Sequence, residues 1–234
     1  MIHGLLSDAH GNVEAFKQAI ALLRRFGAEQ LHFLGDAVGY MPGLGVLDAL
    51  IDAGIPAVMG NHEELLLGGE ISSSRDAIYR LMQTRAILTE AQRQTVSAWP
   101  RQRRWLAPCG AVLLVHGSPA SPTHGYVYPD SDLGDFHLAP GTTVFMGHTH
   151  RPFLREQAGV RYVNIGSCGL PRDAGSLGCV GLFDDTSGEV RLMRFDIRDA
   201  THAALRRLGE IHPAVRAVFE RPTPDDIVGE VCDA

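Results

Sequence analysis

The 234-residue sequence is poor in thiols, in net positive charge and in long apolar runs. Its four cysteines are Cys109, Cys168, Cys179 and Cys232, and none forms a C-x-x-C pair. That spacing excludes the framework of a small disulfide-stapled secreted scaffold and predicts reduced thiols in a cytoplasmic chain. No run of 18 apolar residues exists, so no membrane span is expected. The opening stretch MIHGLLSDAHGN lacks the basic-then-apolar pattern of a signal peptide. Basic residues number 21 against 27 acidic, a net charge of -6, so the footprint of a general nucleic-acid binder is missing. Internal repeats and low-complexity segments are missing too.

What is there is ordinary globular material, 45% hydrophobic and 21% charged. The length suits one large domain, taken here as residues 1–234. IHGLLS reads as a buried strand. VEAFKQAIALLRRFG repeats apolar residues at helical spacing (Val13, Phe16, Ile20, Leu23), with Gly27 placed to close the helix. QLHFLG predicts a second strand, LGVLDALIDAG a second helix closed by Gly54, and IPAVMG a third strand. This order implies parallel strands with right-handed crossovers. Residues 64–106 carry helix formers and no strand pattern, which predicts a helical insertion, with Thr89 as one N-cap. The basic cluster RQRR at 101–104 reads as solvated surface. Strands return at AVLLVHG, TTVFMGH, VRYVNIGS, CVGLFDD and EVRLMRFD, the last two forming a hairpin across DDTSGE. A helix is expected over 201–209, and the acidic tail over about 220–234 reads as loosely packed.

The polar residues that follow these strands form a pattern. The first strand is followed by Asp8 and His10, the second by Asp36, the third by Asn61, His62 and Glu63. Later strands lead into His116 and then into GHTH, with His148 and His150. Ligands of open α/β sheets bind beyond the carboxyl ends of the strands, so these side chains are expected to converge. Alternation along a strand would aim residues i and i+2 to one side, which suits D-x-H and H-x-H to a shared metal. Carboxylate, imidazole and amide oxygen favour a divalent transition metal over a thiolate site. Seven candidate ligands exceed the three protein ligands of a catalytic zinc and fit two metals sharing a carboxylate. The pair Gly43 and Gly45 does not directly follow a strand and lacks the third glycine of a dinucleotide fingerprint.

The ordered series D-x-H, G-D, G-N-H, H-G and G-H-x-H, with its flanks SDAHGNVEAF, LGDAVGYMPG, IPAVMGNHE, LLVHGSP and NIGSCGLPRDAG, resembles the calcineurin-like metallophosphoesterase superfamily, in its small bacterial phosphodiesterase-like branch. The resemblance implies an α/β (α+β by some schemes) four-layer α-β-β-α sandwich with a dinuclear metal site at the carboxyl ends of the strands. It implies one metal on Asp8, His10, Asp36 and His150, and another on Asp36, Asn61, His116 and His148. Manganese is the expected metal, with iron, zinc and nickel compatible with the same ligands. His62 matches the catalytic histidine, which is not a ligand.

The mechanism this implies is metal-assisted hydrolysis of a small phosphorylated substrate. Two cations about 3.5–4 Å apart share a water, lower its pKa and deliver hydroxide in line to phosphorus. Protonated His62 would then contact the phosphoryl group or protonate the leaving oxygen, with Glu63 beside it as a counter-ion or as a helix cap. GDAVGYMPG lacks the Asp-Arg-Gly of the protein-phosphatase branch, and a diester needs fewer Arg clamps. A phosphodiesterase is therefore expected, ahead of a phosphomonoesterase or nucleotidase, a protein phosphatase, or a non-catalytic scaffold on the same fold. Arg172, Tyr40 and His124 are candidate substrate contacts, with Tyr126 beside them. Arg172 has a surface or dimer salt bridge to Asp173 as its competing role. The helical insertion is a candidate lid or dimer surface, which leaves a homo-oligomer open.

Overall fold

The computed structural model describes residues 1–134 and 136–233. The chain opens with β1 (Ile2–Leu6), α1 (Val13–Arg25), β2 (Gln30–Phe33) and α2 (Gly45–Asp52). Short helices follow: α3 (Asn61–Leu67), α4 (Ser73–Tyr79), α5 (Leu81–Ala86) and α6 (Glu90–Ser97). Seven strands come next: β3 (Gln102–Ala107), β4 (Gly110–Val115), β5 (Thr143–Met146), β6 (Phe153–Gln157), β7 (Val160–Asn164), β8 (Leu177–Asp184) and β9 (Val190–Asp196). The chain closes with α7 (Arg198–Leu208), α8 (Pro213–Phe219) and β10 (Glu230–Val231).

Local chemistry explains the first crossover. Asn12 accepts the N–H of Ala15 as N-cap of α1, Arg24 and Arg25 sit in the last turn, and Gly27 takes a positive φ just past the end. Val13, Phe16, Ala19 and Leu23 face the core from one side of the helix. Truncating a fully buried phenylalanine such as Phe16 costs ~3–5 kcal/mol, so this face fixes α1 on its sheet.

The strands form two sheets, ordered β10-β9-β8-β1-β2 and β3-β4-β5-β7-β6. β1 and β2 run parallel in the first; β4, β5 and β7 run parallel in the second. Leu5, Phe145, Val163, Ile165 and Phe183 fill the core between the sheets, while α1, α2 and α7 cover the outer face of the first. The outer face of the second is covered by Val127, Leu133, Phe136 and Leu138, which belong to an extended segment between β4 and β5. The expected α/β sandwich of two sheets flanked by helices is present, with this segment as its outermost layer on one side. Among the described residues, no helix is long and apolar enough to cross a membrane.

Several elements depart from the sequence reading. IPAVMG makes only a single parallel bridge, Phe33 to Ala57. Phe33 donates to Pro56 and accepts from Val58, and Pro56 has no N–H with which to extend the ladder. The helical run over 64–106 starts earlier, at Asn61, and ends at Ser97; Gln102–Ala107 is β3, paired antiparallel with β4 along its whole length. Tertiary pairing overrides the helix formers there, and the RQRR cluster lies exposed on that edge strand. Thr89 does cap α6, in a reciprocal box with Gln92. β6 and β7 form an unexpected hairpin whose turn residues, Ala158 and Gly159, both take positive φ. The tail carries β10, which pairs parallel with β9, and α8 lies just before it.

Candidate metal centre

The carboxyl ends of the parallel strands of both sheets point to one end of the sandwich, and the loops that leave them carry the expected residues. Asp8 and His10 follow β1, Asp36 follows β2, His116 follows β4, and His148 and His150 follow β5. Asn61 and His62 open α3. All but Asn61 are buried.

The backbone device that aims them is not strand alternation. Among the described residues nine non-glycine residues have positive φ, and six of them are Asp8, His10, Asp36, Tyr40, His148 and His150. Such conformations cost energy and persist where the surroundings over-determine them. D-x-H and H-x-H therefore reach inward through left-handed turns placed just beyond the strands. Glycines make room for this: a Cβ on Gly147 would meet Ser7 Oγ at 2.1 Å and Asp8 Oδ2 at 2.5 Å. A Cβ on Gly39, whose φ is +96°, would sit 2.0 Å from Nδ1 of His62.

Among the described residues three sets of donor atoms lie close enough to hold an ion; one, His10, Asp36 and His62, shares members with the two groups that GHTH enters. In the first, His10 Nε2 stands 3.1 Å from His150 Nε2, and Asp8 Oδ1 lies 3.6 Å and 3.2 Å from them. In the second, His116 Nε2 is 3.0 Å from His148 Nδ1, 3.1 Å from Asn61 Oδ1 and 3.4 Å from Asp36 Oδ2. Asp36 Oδ2 also lies 3.7 Å from His10 Nε2, so it stands between the groups. His148 and His150 are thus divided, one in each group.

Ring orientation is set from behind. His10 Nδ1 donates to Val38 O at 3.0 Å, His116 Nδ1 to Leu34 O at 2.7 Å and His150 Nδ1 to Leu170 O at 2.6 Å. A carbonyl can only accept, so each Nδ1 carries a proton and Nε2 is the nitrogen that each ring turns inward. His62 differs: its Nε2 lies 3.9 Å from Asp36 Oδ2, and its Nδ1 has no hydrogen-bond partner among the described residues.

These residues fit a pair of cations. Asp8 Oδ1, which belongs to the first group, is buried without a hydrogen-bond partner among the described residues. Atoms bound to one first-row cation at about 2.0–2.2 Å stand about 2.9–3.6 Å apart, from right-angled to tetrahedral geometry, and the spacings within each group fall in that range. Nitrogen and oxygen donors without thiolate suit manganese, iron, zinc or nickel.

The electrostatics of the site are those of acids and bases packed together. Burial alone would raise the Asp8 and Asp36 carboxyls, but the surrounding histidines, His150 for Asp8 and His116 for Asp36, hold both well below the usual range. His116 is pushed up to about 10: burial opposes the proton, and the Asp36 carboxylate overrides it. Burial pushes His148 and His62 down to about 3 and His150 to about 4. The protonated His62 expected from the sequence is therefore neutral in this state.

Of the two roles expected of Glu63, the structure shows the helix cap. Its carboxylate accepts from the backbone N–H groups of Asp36, Ala37 and Gly60 at 2.7, 2.8 and 3.0 Å. It clamps the Asp36 loop to the start of α3 and is not a counter-ion for His62. Burial and the Asp36 charge push it up to about 7. Of the expected substrate contacts, Tyr40 packs edge-on against His10 and receives a hydrogen bond from Arg172 Nη2 at 2.8 Å. Asp173 is bound by buried Arg194 at 2.6 and 3.1 Å and does not pair with Arg172. His124 is exposed and donates to Glu64 at 2.7 Å. Tyr79, which the sequence reading did not single out, packs on His62 and Tyr40. Nothing in the sequence around it signals that role. Asn164 was missed as well; it donates to Gly147 O and Thr149 Oγ1 and braces the turn that holds His148 and His150.

Residues 1–187 match the model of the calcineurin-like phosphoesterase superfamily domain. An uncharacterised protein of Methanocaldococcus jannaschii is 25% identical over 217 residues, spanning 84% of this chain and 88% of its own. A metallophosphoesterase from Sphaerobacter thermophilus superposes with a TM-score of 0.74 at 23% identity, over 94% of this chain and 98% of that one. A hypothetical protein from Pyrococcus horikoshii does so with a TM-score of 0.75 at 18% identity, over 93% and 97%. At these identities the two structures speak to the fold alone.

Proposed function

This chain belongs to the calcineurin-like phosphoesterase superfamily, and from that premise we propose that it is a dinuclear metal-dependent hydrolase of small phosphodiesters. The observation that carries the reading is the pair of donor groups joined through Asp36 Oδ2, with His62 beside them and free of a backbone anchor. Asp8, His10, Asp36 and His150 would hold one cation; Asp36, Asn61, His116 and His148 the other. When bound, the cations supply Lewis acidity toward phosphoryl oxygens and lower the pKa of water.

The chain's own residues do the rest. Asp36 holds the two halves of the site in register through Oδ2, while its Oδ1 accepts from the N–H of His62 at 2.9 Å and so places that ring. His62 starts neutral because it is buried. A phosphoryl anion beside it restores the missing charge balance and favours a proton on Nε2, from where His62 delivers it to the leaving oxygen. Arg172 stands over the Tyr40 ring at 5.9 Å and donates to its hydroxyl, and among the described residues it is the one guanidinium tied in this way to the site. A single guanidinium matches the single charge of a diester better than the two charges of a monoester. The four free thiols agree with a reducing, cytoplasmic setting.

The test is a panel of mono- and diesters, cyclic nucleotides included, run with manganese, iron, zinc and nickel. The reading expects manganese-dependent turnover that favours bis-nitrophenyl phosphate over nitrophenyl phosphate. Faster monoester turnover would make the protein a phosphomonoesterase, and no turnover of any ester would return the scaffold reading.

A further inference from the structure

Tyr126 and Tyr128 lie on the extended segment between β4 and β5, and they face away from the core. Val127 between them is 3% exposed and packs under the second sheet, whereas Tyr126 is 57% and Tyr128 38% exposed. The burial alternates along these three residues, which puts both tyrosines on the outer side. Their rings are parallel, 9° apart in plane and 5.9 Å between centroids. The inner ring, Tyr126, lies 4.1 Å from the ring of His148. One face of Tyr126 is thus fixed against the donor cluster, and more than half of the side chain is open to solvent. His124, bonded to Glu64, ties this segment to α3. A tethered pair of exposed aromatics next to a catalytic centre is out of place as packing, because aromatic area is stabilising when covered.

Across the cluster, Tyr40 and Tyr79 pack against His62 at 5.1 and 4.6 Å. With His62 serving the leaving oxygen, those two rings flank the departing group. Tyr126 lies by His148, in the donor group that does not contain His62.

We propose that Tyr126, extended outward by Tyr128, is a stacking platform that selects phosphodiesters whose retained ester group carries a planar aromatic ring. Stacking needs only a π-face, so an aryl ester and a nucleobase share the chemistry. The inference rests on the phosphodiesterase reading for the placement of the ester, and its test separates the two.

Phosphonates cannot be cleaved at their P–C bond, so they report binding without turnover. By calorimetry on the manganese-loaded full chain, phenylphosphonate or a nucleoside 5′-phosphonate is expected to bind about fivefold or more tightly than methylphosphonate, the low end of base–aromatic stacking. Tyr126→Phe keeps that ratio; Tyr126→Leu brings it to about one. A nucleoside preference that Tyr128→Leu abolishes identifies a nucleobase, and a phenyl preference that Tyr128→Leu leaves intact identifies an aryl group. Equal binding of all three phosphonates by the wild type, or a ratio that survives Tyr126→Leu, overturns the platform. Hydrolysis of bis-nitrophenyl phosphate is followed on the same samples. Ring preference without turnover keeps the platform and overturns the enzyme reading; turnover without ring preference does the reverse.

Discussion

His10 and His150 face each other through their Nε2 atoms at 3.1 Å, and each has given its other ring proton to a backbone carbonyl. Two lone pairs and the Asp8 carboxylate therefore meet with no donor among them. A cation between them removes that repulsion, so binding should stabilise the fold. At a free manganese concentration one hundred times Kd, one site adds ~2.7 kcal/mol, or about 5–10 °C in Tm for a chain of this size. Calorimetric melting with manganese and then with excess chelator checks this. A Tm that manganese does not move argues against a metal centre.

The Glu63 clamp gives a second prediction. Glu63→Gln retains one acceptor oxygen and turns an NH2 group toward backbone N–H groups, so at least one of three buried donors loses its partner. Each such loss costs ~1–3 kcal/mol. Denaturant unfolding should show a loss in that range, and calorimetry should show weaker manganese binding because the Asp36 loop is loosened. A stable variant with unchanged metal affinity contradicts the clamp.

His62 touches the site without the carbonyl anchor that orients His10, His116 and His150. His62→Ala should keep both metals and lose turnover by ~10²–10⁴-fold, the range of general acid–base catalysis. Metal analysis beside steady-state kinetics decides it, and loss of metal in this variant would make His62 a ligand.

A pH prediction comes from the far side of the first sheet. Burial, then the neighbouring His3 and Arg103, push His32 down to about 4 from an ordinary 6.5. Between those values the unfolded chain takes up a proton that the folded chain refuses. Stability is therefore intact above about pH 6.5 and falls as pH drops toward 4, by up to ~3 kcal/mol at ~1.4 kcal/mol per pH unit. In chelator-treated protein, His32→Gln should fall less steeply than wild type over that window. Equal slopes contradict the assignment.

The fold and the candidate site were legible in the sequence to different depths. Apolar runs ending in Asp8, Asp36, His116 and His148 revealed which strands supply the site, because parallel strands share a carboxyl end. The same runs did not reveal how the side chains turn inward. Left-handed backbone at Asp8, His10, His148 and His150 leaves no periodic trace, and alternation offered itself in its place. Glu63 illustrates a second limit. The sequence offered it as a helix cap or as the partner of His62; it is the cap, and its further reach onto the loop of Asp36 has no local signature. Tyr79 and the strand over Gln102–Ala107 depend on contacts made only once the chain has closed, which no local pattern encodes.

The central claim is that Asp36 joins two cations and that GHTH divides between them. Anomalous diffraction from manganese-loaded crystals tests it most directly. The account predicts two peaks about 3.5–4 Å apart, flanking Asp36 Oδ2, with His150 on one ion and His148 on the other. A single peak, or both histidines on the same ion, would contradict it.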